Sequence, residues 1–339
     1  KVRSRIVADQ LVKLIKEADH VVIMGHRMSD LDAIGSAEGV LRICKICDVP
    51  AVIAVRRDAT LAGSLIDALC KAGQRDDFID PKDALPIISK RTLCIVVDTY
   101  QAGLVESKEI LEKCGRVAVI DHHRKGVGYI QNPDLVCHEP YSSSASELVT
   151  ELLQYVGERD DKPNRVEAEG LLSGIMLDTR DFTLHTGVRT FEAAAALRRY
   201  GAETERVRQL FDVTMVEYNA KAGLVEKAKM YRNCAISIGG EVAAEARVAI
   251  AQAANDLLTI QGVDASFVAV QVGTGVNVSA RSLGAVNVQV IMESLGGGGH
   301  QTMAAAQLKH ITPEAARSRI EGAIDKYYAS QKKGGAEGK

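Results

Sequence analysis

Asp121-His122-His123 follows directly on the apolar run Val117-Ala-Val-Ile120, at the point where a buried strand would open into a loop. The arrangement recurs. Val21-Val-Ile-Met24 leads into Gly25-His26-Arg-Met-Ser-Asp30-Leu-Asp32, and Thr92-Leu-Cys-Ile-Val-Val97 ends on Asp98. Asp178 closes a helical stretch that starts near residue 165. One polar triplet after a strand is as readily a solvated turn as a site, but recurrence at successive strand ends is harder to explain that way. Asp30, Asp32, Asp98 and Asp178, if brought together, would repel one another and be costly to bury. Two divalent cations would offset those four charges. Oxygen-rich ligation with two imidazoles, His26 and His122, suits Mn²⁺ or Mg²⁺ better than zinc. Two such ions can stabilise both oxygens of an in-line displacement at phosphorus.

The elements that must position these groups alternate. Residues 5–18 read as an amphipathic helix, residues 33–43, 61–71, 145–155 and 165–177 as further helices, and Ala51-Val-Ile-Ala-Val55 as another strand. Strands alternating with helices predict an α/β fold with a mostly parallel sheet, whose ligands bind at the carboxyl ends of the strands. The spacing of Ser144 and Glu147 predicts a capping box. Residues 189–231 are charged and helical in pattern. From Cys234 short β-type runs take over, Val248-Ala-Ile250 among them, followed by a helix over 286–295 and the loop Gly296-Gly-Gly-Gly299-His300. The expected organisation is a catalytic domain over 1–188, a helical connection over 189–231, a smaller α/β domain over 232–330 and a disordered tail over 331–339.

Composition narrows the function. The chain has 339 residues, 46% hydrophobic and 25% charged, a globular profile with ample core. A net charge of −2 supplies no basic face for long nucleic acid, and 4% aromatics without Trp give little for single strands to stack on. Any nucleotide ligand should be small. The seven cysteines are scattered, and Cys44-x-x-Cys47 lacks a second pair, so they read as structural thiols of a reducing compartment. No apolar run is long enough to span a membrane.

Gly25-His-x-x-x-Asp30-x-Asp32, Asp98, Asp121-His122-His123 and Asp178 resemble the DHH phosphoesterase superfamily. Ser279-Ala-Arg281 with Gly296–His300 resembles its DHHA1 domain. Residues 181–192 and 282–292 are similar to the GdpP (YybT-type) cyclic di-AMP phosphodiesterases. The resemblance implies that His26, Asp30 and Asp98 hold one Mn²⁺. Asp32, Asp98, His122 and Asp178 would hold the other, with Asp98 bridging. His123 would lie near the scissile phosphate, and Asp121 would orient a ligand imidazole. Ser279, Arg281, Gly297, Gly298, Gly299 and His300 would bind substrate, the glycines by close backbone approach and Arg281 as a phosphate clamp. Ser29 stands where the family commonly has Pro, and it should loosen that loop. The implied reaction opens cyclic di-AMP to linear pApA, the first domain cutting and the second holding the far nucleotide. The competing readings are a nanoRNase or pAp phosphatase and, from another class, a nucleotide sensor that does not cut. The resemblance further implies a cytoplasmic catalytic part of a membrane-anchored bacterial protein, with no membrane contact of its own, and admits a homodimer.

Overall fold

The computed structural model describes residues 2–123, 128–241, 248–299 and 301–334. The chain divides into two compact units, Lys1–Asp212 and Val213–Lys339.

In the first unit the order is α1 (Val2–Glu17), β1 (Val21–Met24), α2 (Leu31–Ile46), β2 (Ala51–Ala54), α3 (Gly63–Leu69), β3 (Phe78–Ile79) and α4 (Pro81–Ala84). There follow β4 (Leu93–Val97), α5 (Lys108–Lys113), β5 (Arg116–Asp121), β6 (Leu135–His138), α6 (Ala145–Leu153), α7 (Arg165–Thr179), α8 (Val188–Arg199) and α9 (Thr204–Gln209). The six strands form one sheet in the order β3-β2-β1-β4-β5-β6, and every pairing is parallel. The strands are continuous runs of Val, Ile and Leu because both faces are covered. Val21, Ile23, Leu93, Ile95, Val97, Ala118 and Ile120 point into a core built with α1, α2, α6, α7 and α8. Val22, Met24, Cys94, Val96 and Val119 point into a second core with Tyr100, Val105 and Ile110. Strand order reverses between β1 and β4, and that switch point opens a crevice beyond the carboxyl ends of the strands.

Helices α2 and α7 cross at glycines. A Cβ on Gly35 would lie 2.4 Å from the Gly170 carbonyl oxygen, so only glycine allows the approach. That contact sets the starts of α2 and the end of α7 beside the crevice.

The second unit contains α10 (Met215–Glu226), β7 (Lys229–Tyr231), β8 (Cys234–Glu241), α11 (Val248–Leu257), β9 (Ala265–Val272), β10 (Gly275–Ser282), α12 (Val288–Glu293), β11 (Gly298–Gly299), β12 (Met303–Leu308) and α13 (Pro313–Gly334). Its mixed sheet runs β11-β12-β10-β9-β8-β7.

Several expectations need revising. The division at 212/213 falls inside the expected connection 189–231. Ala193, Ala196, Leu197 and Val207 of α8 and α9 are buried, all but Ala196 in the first unit's main core, whereas Leu224 of α10 is buried in the second unit. Residues 331–334 continue α13, and 335–339 lie outside the described residues. Val248-Ala-Ile250 begins a helix, because the apolar pattern continues through Ala253, Ala254 and Leu257 with helical spacing. At Ser144 only half of the capping box forms. Ser144 Oγ accepts from the Glu147 N–H, but the Glu147 carboxylate accepts from Ser143 and Thr190 instead of reciprocating.

Candidate metal centre

His26 lies just past β1, Asp98 just past β4, and Asp121, His122 and His123 at the end of β5. Parallel pairing places these three strand ends side by side. Asp30 is the N-cap of α2, its Oδ1 accepting from the N–H groups of Asp32 and Ala33 at 3.0 and 3.1 Å. Asp32 follows in the first turn. Asp178 arrives from the last turn of α7.

Asp98 is the hub. Its Oδ2 lies 3.4 Å from His26 Nε2, and its Oδ1 lies 3.4 Å from His122 Nε2. The backbone there is left-handed, with φ 57°, and the Asp98 N–H donates to the Ile120 carbonyl at 2.9 Å. A residue other than glycine held in that region is strained, and such strain collects at functional sites. His122 Nε2 also lies 3.0 Å from Asp178 Oδ2 and 3.9 Å from Asp32 Oδ2. Three overlapping groups result: His26, Asp30 and Asp98; Asp32, Asp98, His122 and Asp178; and Asp98, His122 and His123. In each, the ligand atoms lie within 4.8 Å of one another.

These residues fit divalent cations. Asp98 Oδ1 and His122 Nε2 are buried with no hydrogen-bond partner among the described residues, although carboxylate oxygens surround that nitrogen. Close approach without hydrogen-bond alignment is what two ligands of one ion display. His26 Nδ1 lies 3.0 Å from the Arg27 carbonyl and must donate to it, which leaves Nε2 with its lone pair towards Asp98.

With no cation counted, protons stand in for metal. Burial pulls His26 down, but the Asp30 and Asp98 carboxylates beside it win and push it up to about 11. His122 is likewise held well above the usual imidazole range: burial opposes the shift, and Asp178 and Asp98 outweigh it. Burial raises Asp32, and the neighbouring charges of Asp98 and Asp178 raise it further. Asp98 goes the other way. Burial disfavours its charge, but the imidazoles of His122 and His26 beside it keep it ionised. Protons and metal therefore compete for the same atoms.

Asp121 does not orient a metal-facing nitrogen of His26 or His122. Its Oδ1 accepts from His123 Nδ1 at 2.8 Å, which leaves the Nε2 edge of a half-exposed ring outermost. Sequence reasoning overlooked four contributors. The N–H groups of Ala145 and Ser146, at the start of α6, donate to the two Asp32 oxygens at 2.7 and 2.8 Å. A carboxylate at a helix N-terminus is stabilised by those otherwise unpaired donors. Gly174 makes room for Asp32. His138 belongs to β6 and donates from Nε2 to the His123 carbonyl at 2.5 Å. The run Ser142–Ser146 was the one visible signal for a specialised helix start. Ser29 is buried, not loosened: its Oγ donates to Thr60 Oγ1 at 3.0 Å, and its carbonyl accepts from Thr60 Oγ1 and the Leu61 N–H.

In the second unit Arg281 is buried and its Nη1 donates to Ser279 Oγ at 3.1 Å and to the Ala280 carbonyl at 2.9 Å. Gly298 and Gly299 form β11 and pair with Ala305 and Ala304, and a Cβ on Gly297 would lie 2.2 Å from the Ala305 carbonyl oxygen. His300 lies outside the described residues.

A parallel sheet with acidic and imidazole groups converging at its switch point, joined to a mixed-sheet domain, defines an α/β protein with a candidate polynuclear metal site. The match of residues 20–175 to the DHH family N-terminal domain and of 241–329 to the DHHA1 domain places the chain in the DHH/DHHA1 family. The chain is 45% identical over 339 residues to the cyclic-di-AMP phosphodiesterase GdpP of Geobacillus thermodenitrificans, covering 98% of this chain and 51% of that protein. It is 40% identical over 336 residues to the cyclic-di-AMP phosphodiesterase PdeA of Listeria monocytogenes, covering 98% and 51%. The chain thus spans about half the length of these curated relatives. Among solved structures, an exopolyphosphatase-related protein from Bacteroides fragilis shares the fold with a TM-score of 0.81 at 21% identity, covering 96% of this chain and 98% of that one.

Proposed function

We propose that this chain is a metal-dependent phosphodiesterase that hydrolyses cyclic di-AMP to linear pApA, using two Mn²⁺ or Mg²⁺ ions. The observation that carries the reading is Asp98, whose two oxygens each face a different imidazole at 3.4 Å. A carboxylate so placed can bridge two ions, with His26 and Asp30 completing one set and Asp32, His122 and Asp178 the other. The names of the two relatives, similar over nearly the whole of this chain, support the substrate.

The bound ions would supply Lewis-acid stabilisation of the phosphoryl oxygens and a nucleophile available at neutral pH. The chain's own residues do the rest. The α6 amides hold Asp32 in one orientation, and the Arg27 carbonyl fixes the tautomer of His26. The His123 pKa is raised from the ordinary imidazole value; burial opposes the shift, and the Asp121 hydrogen bond outweighs it. In its protonated form the ring can donate to the departing oxygen. Ser279, Arg281, the Gly297–Gly299 backbone and His300 are the proposed substrate contacts of the second unit.

Initial rates with Mn²⁺ on cyclic di-AMP, pApA, pAp and a short linear oligonucleotide, measured side by side, test this reading. The expected order has cyclic di-AMP ahead of the linear tri- and tetranucleotides by at least about tenfold in kcat/KM. Preference for the longer linear substrates would replace it with a nanoRNase activity. Binding without turnover would make the chain a sensor.

A further inference from the structure

The second sheet is covered unequally on its two faces. On one face Val276, Val278 and Ala280 of β10 pack with Phe267 and Ala269 of β9 beneath α12 and α13. On the other, Val268 and Val270 of β9 pack against Ala253, Ala254 and Leu257 of α11. Alternation puts Asn277, Ser279 and Arg281 on this second face, where they pair in register with Gln307, Ala305 and Met303 of β12. Those three β12 residues are exposed and Asn277 and Ser279 are half-buried, so this part of the face is open.

The open strip has a direction. Ser279 and Ala305 give it a floor of small side chains, and β11 extends that row through Gly298, the partner of Ala305. Arg281, the proposed phosphate clamp, marks one end. Two carboxamides, Asn277 and Gln307, stand opposite each other at the other end. Four residues along a strand cover about 13 Å, the scale of one nucleotide from its phosphate to the far edge of its base. Asn277 Oδ1 is buried and has no hydrogen-bond partner among the described residues. A polar atom left so is destabilising, which a function would justify. No described group fixes this carboxamide, so it can turn about its last torsion and present a donor and an acceptor together.

We propose that Asn277, with Gln307 beside it, reads the adenine base of the substrate. Its amide oxygen accepts from the 6-amino group while its NH₂ donates to a ring nitrogen, the pairing by which Asn and Gln recognise adenine. The proposal rests on the chain acting on an adenine dinucleotide, and it adds a base-specificity role at positions that the family motifs Ser279-Ala-Arg281 and Gly296–His300 leave out.

The test compares kcat/KM for cyclic di-AMP with that for the cyclic dinucleotide of purine riboside, which lacks only the 6-amino groups. Wild type should prefer cyclic di-AMP by about tenfold or more. Asn277→Ala should bring the ratio near one by slowing cyclic di-AMP selectively, and Gln307→Ala, at an exposed position, should lower it part of the way. Thermal midpoint and Mn²⁺ content verify that each variant is folded. An unchanged ratio in both variants overturns the proposal, as does an equal loss on both substrates. If wild type turns over neither compound, the phosphodiesterase reading itself fails, an outcome distinct from turnover with an unaltered ratio.

Discussion

Gly174 on α7 passes so close to Asp32 on α2 that a Cβ added to it would lie 2.6 Å from Asp32 Oδ1 and 2.3 Å from Ser146 Oγ. The missing side chain is therefore part of the candidate metal centre. It lets Asp32 settle against the first amides of α6 while its carboxylate still faces His122.

Gly174→Ala separates two opposed effects. Alanine in a helix interior is favoured over glycine by up to about 1 kcal/mol, whereas forcing a methyl into a filled site costs about 1–3 kcal/mol. The clash should win, giving a lower unfolding midpoint and a marked loss of Mn²⁺. Gly223→Ala on α10, where no atom lies within 4 Å of the added Cβ, should instead stabilise by a few tenths to 1 kcal/mol. Urea unfolding of both variants is the check, and a stabilised Gly174→Ala chain with full metal would refute the packing argument.

Asp98→Asn tests the bridge. Asparagine tolerates the left-handed backbone and keeps the N–H bond to Ile120, so the fold should persist. It lacks the charge needed to hold two cations. Metal content should drop below two per chain, and turnover should fall by more than about a hundredfold, the usual upper range for removing a mere outer partner of a ligand. Two tightly held ions with near-normal rates would remove Asp98 from the bridging role.

What could be read in advance follows from where the information lies. The candidate ligands were legible because His26, Asp98 and His122 closely follow apolar strands, and strand ends of a parallel sheet converge; Asp30, Asp32 and Asp178 come instead from helix ends. Edge strands β3 and β6 escaped notice: Phe78–Ile79 is too short to show a period, and Leu135–His138 carries only two aliphatic residues. The Ala145 and Ser146 donors are backbone groups, which no residue type announces. His138 and Gly174 act through one contact each, His138 from a strand that was not foreseen and Gly174 through space it leaves empty. Val248-Ala-Ile250 was misread because three apolar residues do not distinguish a strand from a buried helix face.

Glu38, on α2 and outside the three candidate metal groups, carries a pH signature of its own. It is fully buried, Gln74 donates to its Oε2 at 3.3 Å, and its Oε1 has no partner among the described residues. Arg42 and Lys45 are spent on Glu167 and Asp77. Burial, then the charges of Glu167 and Asp77, push the Glu38 carboxyl up to about 8. Its folded pKa is raised above the unfolded value near 4.5, so the stability it contributes is full below that value and is lost as pH climbs through 8. At about 1.4 kcal/mol per unit, the loss amounts to a few kcal/mol. Glu38→Gln keeps the shape without the charge. The variant should gain on wild type between pH 5 and 8.5 and be the more stable chain at the upper end, whereas parallel pH curves would discard the assignment.

His123 faces two roles, and the geometry favours one. It belongs to a group with Asp98 and His122 that could hold an ion, Nδ1 lying 3.6 Å from Asp98 Oδ1. The same Nδ1 is only 2.8 Å from Asp121 Oδ1, in a hydrogen bond that occupies it. A nitrogen carrying a proton cannot also ligate a metal, so His123 should act through Nε2 as a proton donor. His123→Ala should then retain two Mn²⁺ per chain while kcat falls about 10²–10⁴-fold. Asp121→Asn keeps an acceptor for Nδ1 but not the charge that holds the imidazole protonated, so it should lower kcat less and leave the metals in place. Loss of an ion from His123→Ala would move the residue into the ligand set and leave the departing oxygen to another donor.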